Sequence, residues 1–563
     1  VAEWIGHAER VKKLCHQLKP FLGSQADEIF SAYLLEDKQG KDQLEIYLQS
    51  LLANHLGGRE LDDASELVPP SSEKTRGEYG LGTVVYGDKQ MDPFGLREYE
   101  WIQHVGVFGR TGAGKTNLGY LILQQLQEHG KPFLVFDWKR NYRDLLVSPE
   151  FQNVEVYTVG RTVSPFRFNP LIPPPGIAPK TWLKKIIEVI AHAYLLGNGV
   201  LYLLQESVDA VYRECGLYDG KLTRIPTLRD VLETARKRDT KGREAGWWSS
   251  LMRALSSLCF GDMDQLINSE ENGSVDELLK KPVILELEAL TQSDKVFLIQ
   301  ALLLWIHHRR MTQGEREKFR HAILIEEAHH VLSGERRSLV GGQSIMDITC
   351  REIREFGESL IILDQHPSMI SLPALGNTHT TLCMNLKHSK DVSAMGQALL
   401  LDPKEREILG TLEVGKAVVK LQGRGTKPFL IEIPEFPLKK GTLTDEDVAK
   451  RMGREIEPLT LGSPSPEVVS MEDSAPTHEK PIMPKSTPDD LTLKFLQDVR
   501  ENPDSGVANR YKRLGISVRQ GQKLKARLAS EGLIEETLET TETGSKRVIW
   551  FAVKGANLES PLG

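Results

Sequence analysis

Residues Val105 to Asn117 read VGVFGRTGAGKTN. Gly109, Gly114, Lys115 and Thr116 occupy the fixed positions of G-x-x-x-x-G-K-[ST], a spacing that commits the chain around it to strand, tight loop and helix in that order. The flanks agree: HVGVF is an apolar run, and NLGYLILQQLQ repeats its apolar residues at helical spacing. Glycines in such a loop let backbone N–H groups turn inward around an anion, and the helix amino end adds positive potential. Gly109, Thr111, Gly112, Ala113, Gly114, Lys115, Thr116 and Asn117 are therefore expected to hold nucleotide phosphates. Lys115 would reach the β- and γ-phosphates, and the Thr116 hydroxyl would ligate Mg2+.

Hydrolysis needs carboxylates beside the metal. AILIEEAHHVL, Ala322 to Leu332, reads as a strand ending in Glu326 and Glu327. The first can hold the Mg2+ shell through water, and the second can orient and polarise the attacking water. SLIILDQHPSMI ends a further strand in Asp364 and Gln365. Gln365 is a candidate sensor of the γ-phosphate, although a plain strand-end turn explains the same residues equally well. His329 and His330 lack a third ligand at sensible spacing and read as ordinary local residues. NLKH, Asn385 to His388, has no Asp where a guanine-reading motif would carry one, which favours ATP.

Between about residues 100 and 436, β-rich runs alternate with helical segments: HVGVFG, PFLVFD, VEVYTV, PVILEL, AILIEE, SLIILD, TLCMN and AVVKL. The alternation predicts an α/β fold with a parallel-rich sheet. The strands stop over about 176–270, where TWLKKIIEVIAHAYLL and LLQESVDAVYREC predict a helical insertion. Residues 1–75 read as a helical N-terminal region, and YGLGTVVYG as a short strand pair leading into the core at 76–436. Residues 437–490, rich in Pro and Ser over much of their length, read as a flexible linker. Residues 491–554 read as helix, helix, helix and a two-stranded wing, a winged-helix module.

The 563 residues carry 78 acidic against 71 basic side chains, so this is no uniformly basic nucleic-acid coat. Five scattered cysteines form neither a C-x-x-C site nor a disulfide framework. With no bilayer-length apolar run and no visible signal peptide, the expected location is the cytoplasm, without a membrane partner.

These residues in this order resemble the HerA/FtsK group of P-loop ATPases, closest to the HerA-like branch and its relatives among conjugative type IV secretion ATPases. The resemblance runs over about Gly80 to Pro434: HVGVFGRTGAGKTN, then PFLVFDWKRNY with Asp137 ending the second strand, RFNPLIPPPG, ILIEEAHHVL, REIREFGESLIILDQHPS and LGTLEVGKAVVKL. It implies a RecA-like core that assembles as a ring, usually a hexamer, and pulls double-stranded DNA through its pore. It adds Asp137 to the nucleotide site. It implies an arginine finger from a neighbouring subunit, which REIREFG would supply through Arg351 or, second, Arg354. Read without the resemblance, both arginines pair with Glu352, Glu355 or Glu358 on the helix surface. Two features depart from the family: Glu326 stands where many P-loop enzymes have Asp, and helices replace the β-barrel that precedes the HerA core and lies near its nuclease partner.

In Ser505 to Ser530, Arg510, Lys512, Arg513, Arg519, Lys523, Lys525 and Arg527 occur with no acid among them. A basic helix after a short turn suits the phosphate backbone and major groove of DNA, and a protein-docking surface is the competing reading. The function expected is an ATP-hydrolysing ring motor that translocates double-stranded DNA with a nuclease or other effector protein as partner, in DNA processing, mobile-element transfer or defence. The alternatives are an ATPase that moves protein or loads a secretion channel, and an ATP-dependent DNA-bound switch or scaffold.

Overall fold

The computed structural model describes residues 2–56, 67–87, 89–269, 275–333, 345–453, 490–503, 505–530, 533–541 and 544–551. It divides into two compact units, 1–460 and 461–563.

The first unit is built on an eleven-stranded sheet. In chain order the strands are β1 (Tyr79–Tyr86), β2 (Lys89–Leu96), β3 (Val105–Phe108), β4 (Phe133–Asp137), β5 (Glu155–Thr158), β6 (Val283–Glu286), β7 (His321–Glu326), β8 (Glu358–Asp364), β9 (Thr380–Cys383), β10 (Lys416–Leu421) and β11 (Phe429–Glu432). Their spatial order is β2-β1-β11-β10-β9-β3-β8-β7-β4-β6-β5. From β9 to β5 all neighbours are parallel, and from β9 to β2 all are antiparallel. The parallel strands are apolar runs because helices cover both of their faces; β3, β4, β6, β7 and β8 are buried at every position. Each fully buried Val, Leu or Ile there contributes about 1.5–3 kcal/mol.

The antiparallel margin differs from the sequence reading. Tyr79–Tyr86 is one strand rather than a pair, and its partner is Lys89–Leu96, with Gly87 at φ +60° beginning the turn between them. β11 also joins this margin, between β1 and β10.

Helices Pro179–Ala193, Asn198–Glu214, Leu228–Arg236, Arg243–Leu258 and Gly261–Ile267 lie between β5 and β6. Their apolar faces join one core with the sheet and the long helix Gln292–Gln313. At the amino end, helices Ala2–Leu22, Gln25–Leu35 and Lys38–His55 form a small core of their own that includes Tyr86 of β1. The Tyr86 hydroxyl donates to the Gln17 carbonyl, and its ring stacks on Phe21.

The expected linker is folded over its first part. Residues 434–453 run back across the sheet's carboxyl edge and end in helix Asp445–Arg451. The Asp144 carboxylate accepts N–H bonds from Gly441, Thr442 and Leu443, while Arg143 and Arg140 pair with Asp445 at 2.8 and 3.3 Å. Composition suggested a linker because the residues holding this segment in place lie some 300 positions earlier in the chain. The rest of the expected linker, 454–489, lies outside the described residues.

In the second unit, helices Asp490–Glu501, Val507–Arg513 and Val518–Ser530 precede an antiparallel hairpin of Ile534–Thr541 and Gly544–Phe551. Phe495, Val499, Tyr511, Leu524, Leu528, Ile534 and Ile549 form its core.

Candidate nucleotide-hydrolysis site

The sheet register aligns the relevant strand ends. β3, β8, β7 and β4 are successive parallel neighbours, with Phe108 paired to Asp364 and Glu326 to Leu363. The loop after β3, the pair Asp364–Gln365, the pair Glu326–Glu327 and the turn after Asp137 therefore emerge side by side. They border a cavity of about 380 Å3 lined by Thr111, Gly112, Gly114, Lys115, Thr116, Asn117, Lys139, Asn141, Glu326, Glu327, Leu363, Gln365 and Lys440.

The loop wraps from Gly109 to helix Lys115–Glu128. Gly114 sits at φ +110°, where a side chain would be strained. Gly109 is needed for space, because a Cβ there would meet that of Met384 at 2.8 Å. The Lys115 ammonium donates to the Gly109 and Arg110 carbonyls at 2.6 and 3.1 Å. Burial depresses its pKa, and the carboxylates of Glu327, Asp364 and Glu326 pull the other way. Ala113 is buried beneath the loop. Asn117 lines the cavity and also turns its amide to the chain leaving β11, donating to the Pro434 carbonyl and accepting from Phe436 N.

Glu326 is almost fully buried. The Tyr142 hydroxyl donates to it at 3.2 Å and the Asn141 amide at 3.4 Å. Burial, with Asp137 nearby, pushes its pKa up to about 8. A divalent cation would relieve that penalty, so Glu326 and the Thr116 hydroxyl on the cavity wall fit a metal site. Among the described residues, no group of three or more His, Cys, Asp or Glu could hold a metal ion by themselves.

Glu327 stands at φ +48°, ψ +43°, the left-handed region that a residue with a Cβ seldom enters. Its carboxylate receives the Lys139 ammonium at 2.6 Å and the Gln365 amide. Thr111 donates to the other end of the Gln365 amide. A continuous path thus runs from the phosphate loop through Gln365 to Glu327.

Asp137 does not reach the cavity. It is fully buried, and it accepts the N–H groups of Lys139, Asn141 and Tyr142 at 2.9–3.1 Å. Burial pushes its pKa up to about 6 against those donors. Its place is to shape the turn that presents Lys139 and Asn141, two cavity residues absent from the sequence reading. The pattern DWKRNY carried the signal: a strand-end Asp followed by polar residues is the composition of a side-chain-capped turn.

His329 is more constrained than a local surface residue. Its ring contacts the Asp364 carboxylate at 3.0 Å, its N–H donates to the same group, and its pKa is raised. Burial is the largest single effect and opposes this charge, but the Asp364 hydrogen bond and the charges of Asp364, Glu327 and Asp391 together outweigh it.

Arg351 ends helix Ile345–Glu352, is half-exposed and lies 4.0 Å from Glu352. Arg354 is partly buried in the following turn. Neither lines this chain's cavity.

In the second unit, Lys512, Lys523 and Arg527 are exposed, Lys525 is partly so, and Arg519 lies on the Val518–Ser530 helix. Arg510 departs from expectation. It is fully buried and its guanidinium pairs with Asp498 at 2.6 Å, which removes it from any nucleic-acid surface. Arg513 is partly exposed and pairs with the same carboxylate at 2.9 Å.

No helix among the described residues is long and apolar enough to cross a membrane.

Residues 81–304 match the sequence family described as Helicase HerA, central domain. No curated protein matches the chain. Among solved structures, VirB4 of Thermoanaerobacter pseudethanolicus superposes with a TM-score of 0.50 at 17% identity, over 64% of this chain and 96% of that one. The plasmid coupling protein TrwB with ADP and Mg2+ gives 0.47 at 12% identity, over 66% and 93%. The VirB4 likeness is one of fold, an α/β P-loop core on a largely parallel sheet. Residues 81–304 are thus similar to the HerA central domain, and the sheet that contains them has the fold of an α/β P-loop ATPase core.

Proposed function

We propose that the chain is an ATP-hydrolysing ring motor, acting as a homo-oligomer of about six subunits, that translocates double-stranded DNA. The observation that carries this reading is the convergence of Lys115, Thr116, Glu326, Glu327 and Gln365 on one cavity. A phosphate cradle alone would bind nucleotide; a cradle facing two carboxylates at the end of β7, one strand beyond its neighbour β8, can also cleave it.

The loop N–H groups and Lys115 hold the β- and γ-phosphates. Thr116 and, through water, Glu326 would hold Mg2+, which would neutralise phosphate charge when bound. Glu327 orients the attacking water and takes its proton. Gln365 holds Glu327 and, through Thr111, registers the state of the phosphate loop. A neighbouring subunit supplies Arg351, or Arg354, to the γ-phosphate. Basic residues of the second unit, the exposed Lys512, Lys523 and Arg527, the partly exposed Lys525, and Arg519 on the same helix, contact the DNA backbone, in keeping with a winged-helix module. A nuclease or other effector would use the translocated duplex.

The test is steady-state ATP hydrolysis with and without long linear duplex DNA, with Glu327→Gln as control. Strong stimulation that the variant loses supports the motor. Hydrolysis indifferent to duplex would transfer the reading to a protein-moving ATPase. DNA binding with negligible turnover would transfer it to a switch or scaffold.

A further inference from the structure

The segment leaving β11 is clamped twice, on either side of the point where it borders the cavity. Asn117, one residue beyond Thr116, holds Pro434 and Phe436 through both ends of its amide. Farther on, the Asp144 carboxylate takes the N–H groups of Gly441, Thr442 and Leu443 at 2.7–3.0 Å and the Thr442 hydroxyl at 3.0 Å. Burial opposes ionisation of Asp144, yet these donors outweigh it and hold its pKa below the usual carboxylate range. Beyond the second clamp, Asp445 meets Arg140, Arg143 and Arg161. Residues 437–440 are thus a short span between two fixed points.

Lys440 is the last residue of that span and lines the cavity. Its ammonium lies over the Tyr120 ring, 5.9 Å from the centroid, and Tyr120 stands one helical turn beyond Thr116. The other two cavity lysines are already engaged: Lys115 donates to loop carbonyls and Lys139 pairs with Glu327. Lys440 is exposed, and no carboxylate pairs with it among the described residues. A cation held at a phosphate site without an acid partner is a charge available to an anionic ligand.

We propose that Lys440 contacts the polyphosphate of the bound nucleotide, as a cationic residue delivered to the P-loop from the far end of the core by the clamped segment. This inference rests on the nucleotide-site reading above. It extends that site to a segment some 325 positions beyond Lys115.

The test is equilibrium binding of fluorescently labelled ADP and a labelled non-hydrolysable ATP analogue to the full-length chain. Lys440→Ala is expected to weaken both by roughly ten-fold. Lys440→Arg should restore most of the loss, and Lys439→Ala, an exposed neighbour outside the cavity, should match the wild type. Unchanged melting temperatures would show that the variants fold. If Lys115→Ala abolishes binding while Lys440→Ala binds as tightly as the wild type, the Lys440 inference falls and the nucleotide site stands. Equal weakening by Lys440→Ala and Lys439→Ala would reduce the effect to general surface charge and overturn the inference. A wild-type chain that binds neither nucleotide would overturn the site reading and Lys440 with it.

Discussion

The Lys139 ammonium lies 2.6 Å from the Glu327 carboxylate, joining the turn after β4 to the residue proposed to activate water. Glu327 is held by this lysine and by Gln365 at once, in a strained backbone conformation. A carboxylate so occupied is a poorer acceptor for a water proton. Lys139→Ala is therefore expected to raise hydrolysis in the absence of DNA. The pair is partly exposed and worth up to about 1 kcal/mol, which corresponds to roughly five-fold in rate. Initial rates at saturating ATP without duplex would measure it. A rate that drops instead would make Lys139 a contributor to catalysis rather than a restraint.

The second unit separates charge that holds a fold from charge on its surface. Arg510 is buried against Asp498, so Arg510→Ala leaves a buried carboxylate with one of its two partners gone. Breaking such a pair costs about 3 kcal/mol or more. The expected outcome is early unfolding of this unit, seen as proteolysis at temperatures where the wild type resists. Lys523→Ala should leave that resistance unchanged. It should weaken duplex binding evenly across sequences, reducing the salt slope by about one. An Arg510 variant that resists protease yet loses DNA would return Arg510 to the surface reading.

That contrast shows where sequence reasoning ran out. The phosphate loop is spelled in consecutive residues, and β3, β4, β7 and β8 are unbroken apolar runs because both faces are covered. Local pattern reports such elements well. β2 is hidden because Lys89, Asp92 and Pro93 suit an edge strand with one neighbour, not a core strand. Segment 437–453 is hidden because its order comes from Asp144 and the arginines near it, which no local window contains. Arg510 reads as surface charge until Asp498, on the preceding helix, is seen to fold against it. The cavity is legible in part: the loop and the two glutamates announce themselves, whereas Lys139, Asn141 and Lys440 arrive through tertiary convergence of strand ends and a returning segment.

Acid sensitivity follows from His104. The ring is fully buried, its Nε2 donates to the Cys350 carbonyl at 2.6 Å, and its Nδ1 accepts the Leu360 N–H at 3.0 Å. That arrangement requires the neutral ring, and burial pushes its pKa down to about 4. The unfolded chain protonates this residue near pH 6.5, so between about 6.5 and 4 the unfolded state binds the extra proton. Stability should therefore fall as pH drops through that window, by up to about 1.4 kcal/mol per unit for this one group. Urea denaturation across pH 4–7 would show a shallower acid slope in His104→Gln than in the wild type, whatever the variant loses at pH 7. Equal slopes would assign the acid limb to other buried histidines such as His307, whose pKa is also depressed by burial.

The position of Arg351 yields a prediction that distinguishes a ring from a collection of independent sites. Arg351 is half-exposed and lies outside its own chain's cavity, whereas Glu327 lines that cavity. If hydrolysis joins Glu327 of one copy to Arg351 of the next, Arg351→Ala and Glu327→Gln chains are each inactive alone but defective in different halves of the site. Mixed and reassembled one to one, about a quarter of the head-to-tail interfaces would pair an intact Glu327 with an intact Arg351. Hydrolysis should then reappear at about that fraction of the wild-type rate, provided interfaces act independently. Chains acting singly would stay silent at every ratio, because each active site would still lack one of its two residues. Repeating the titration with Arg354→Ala would decide which arginine crosses: the variant whose defect is rescued by mixing supplies the finger, and the one that retains activity alone does not.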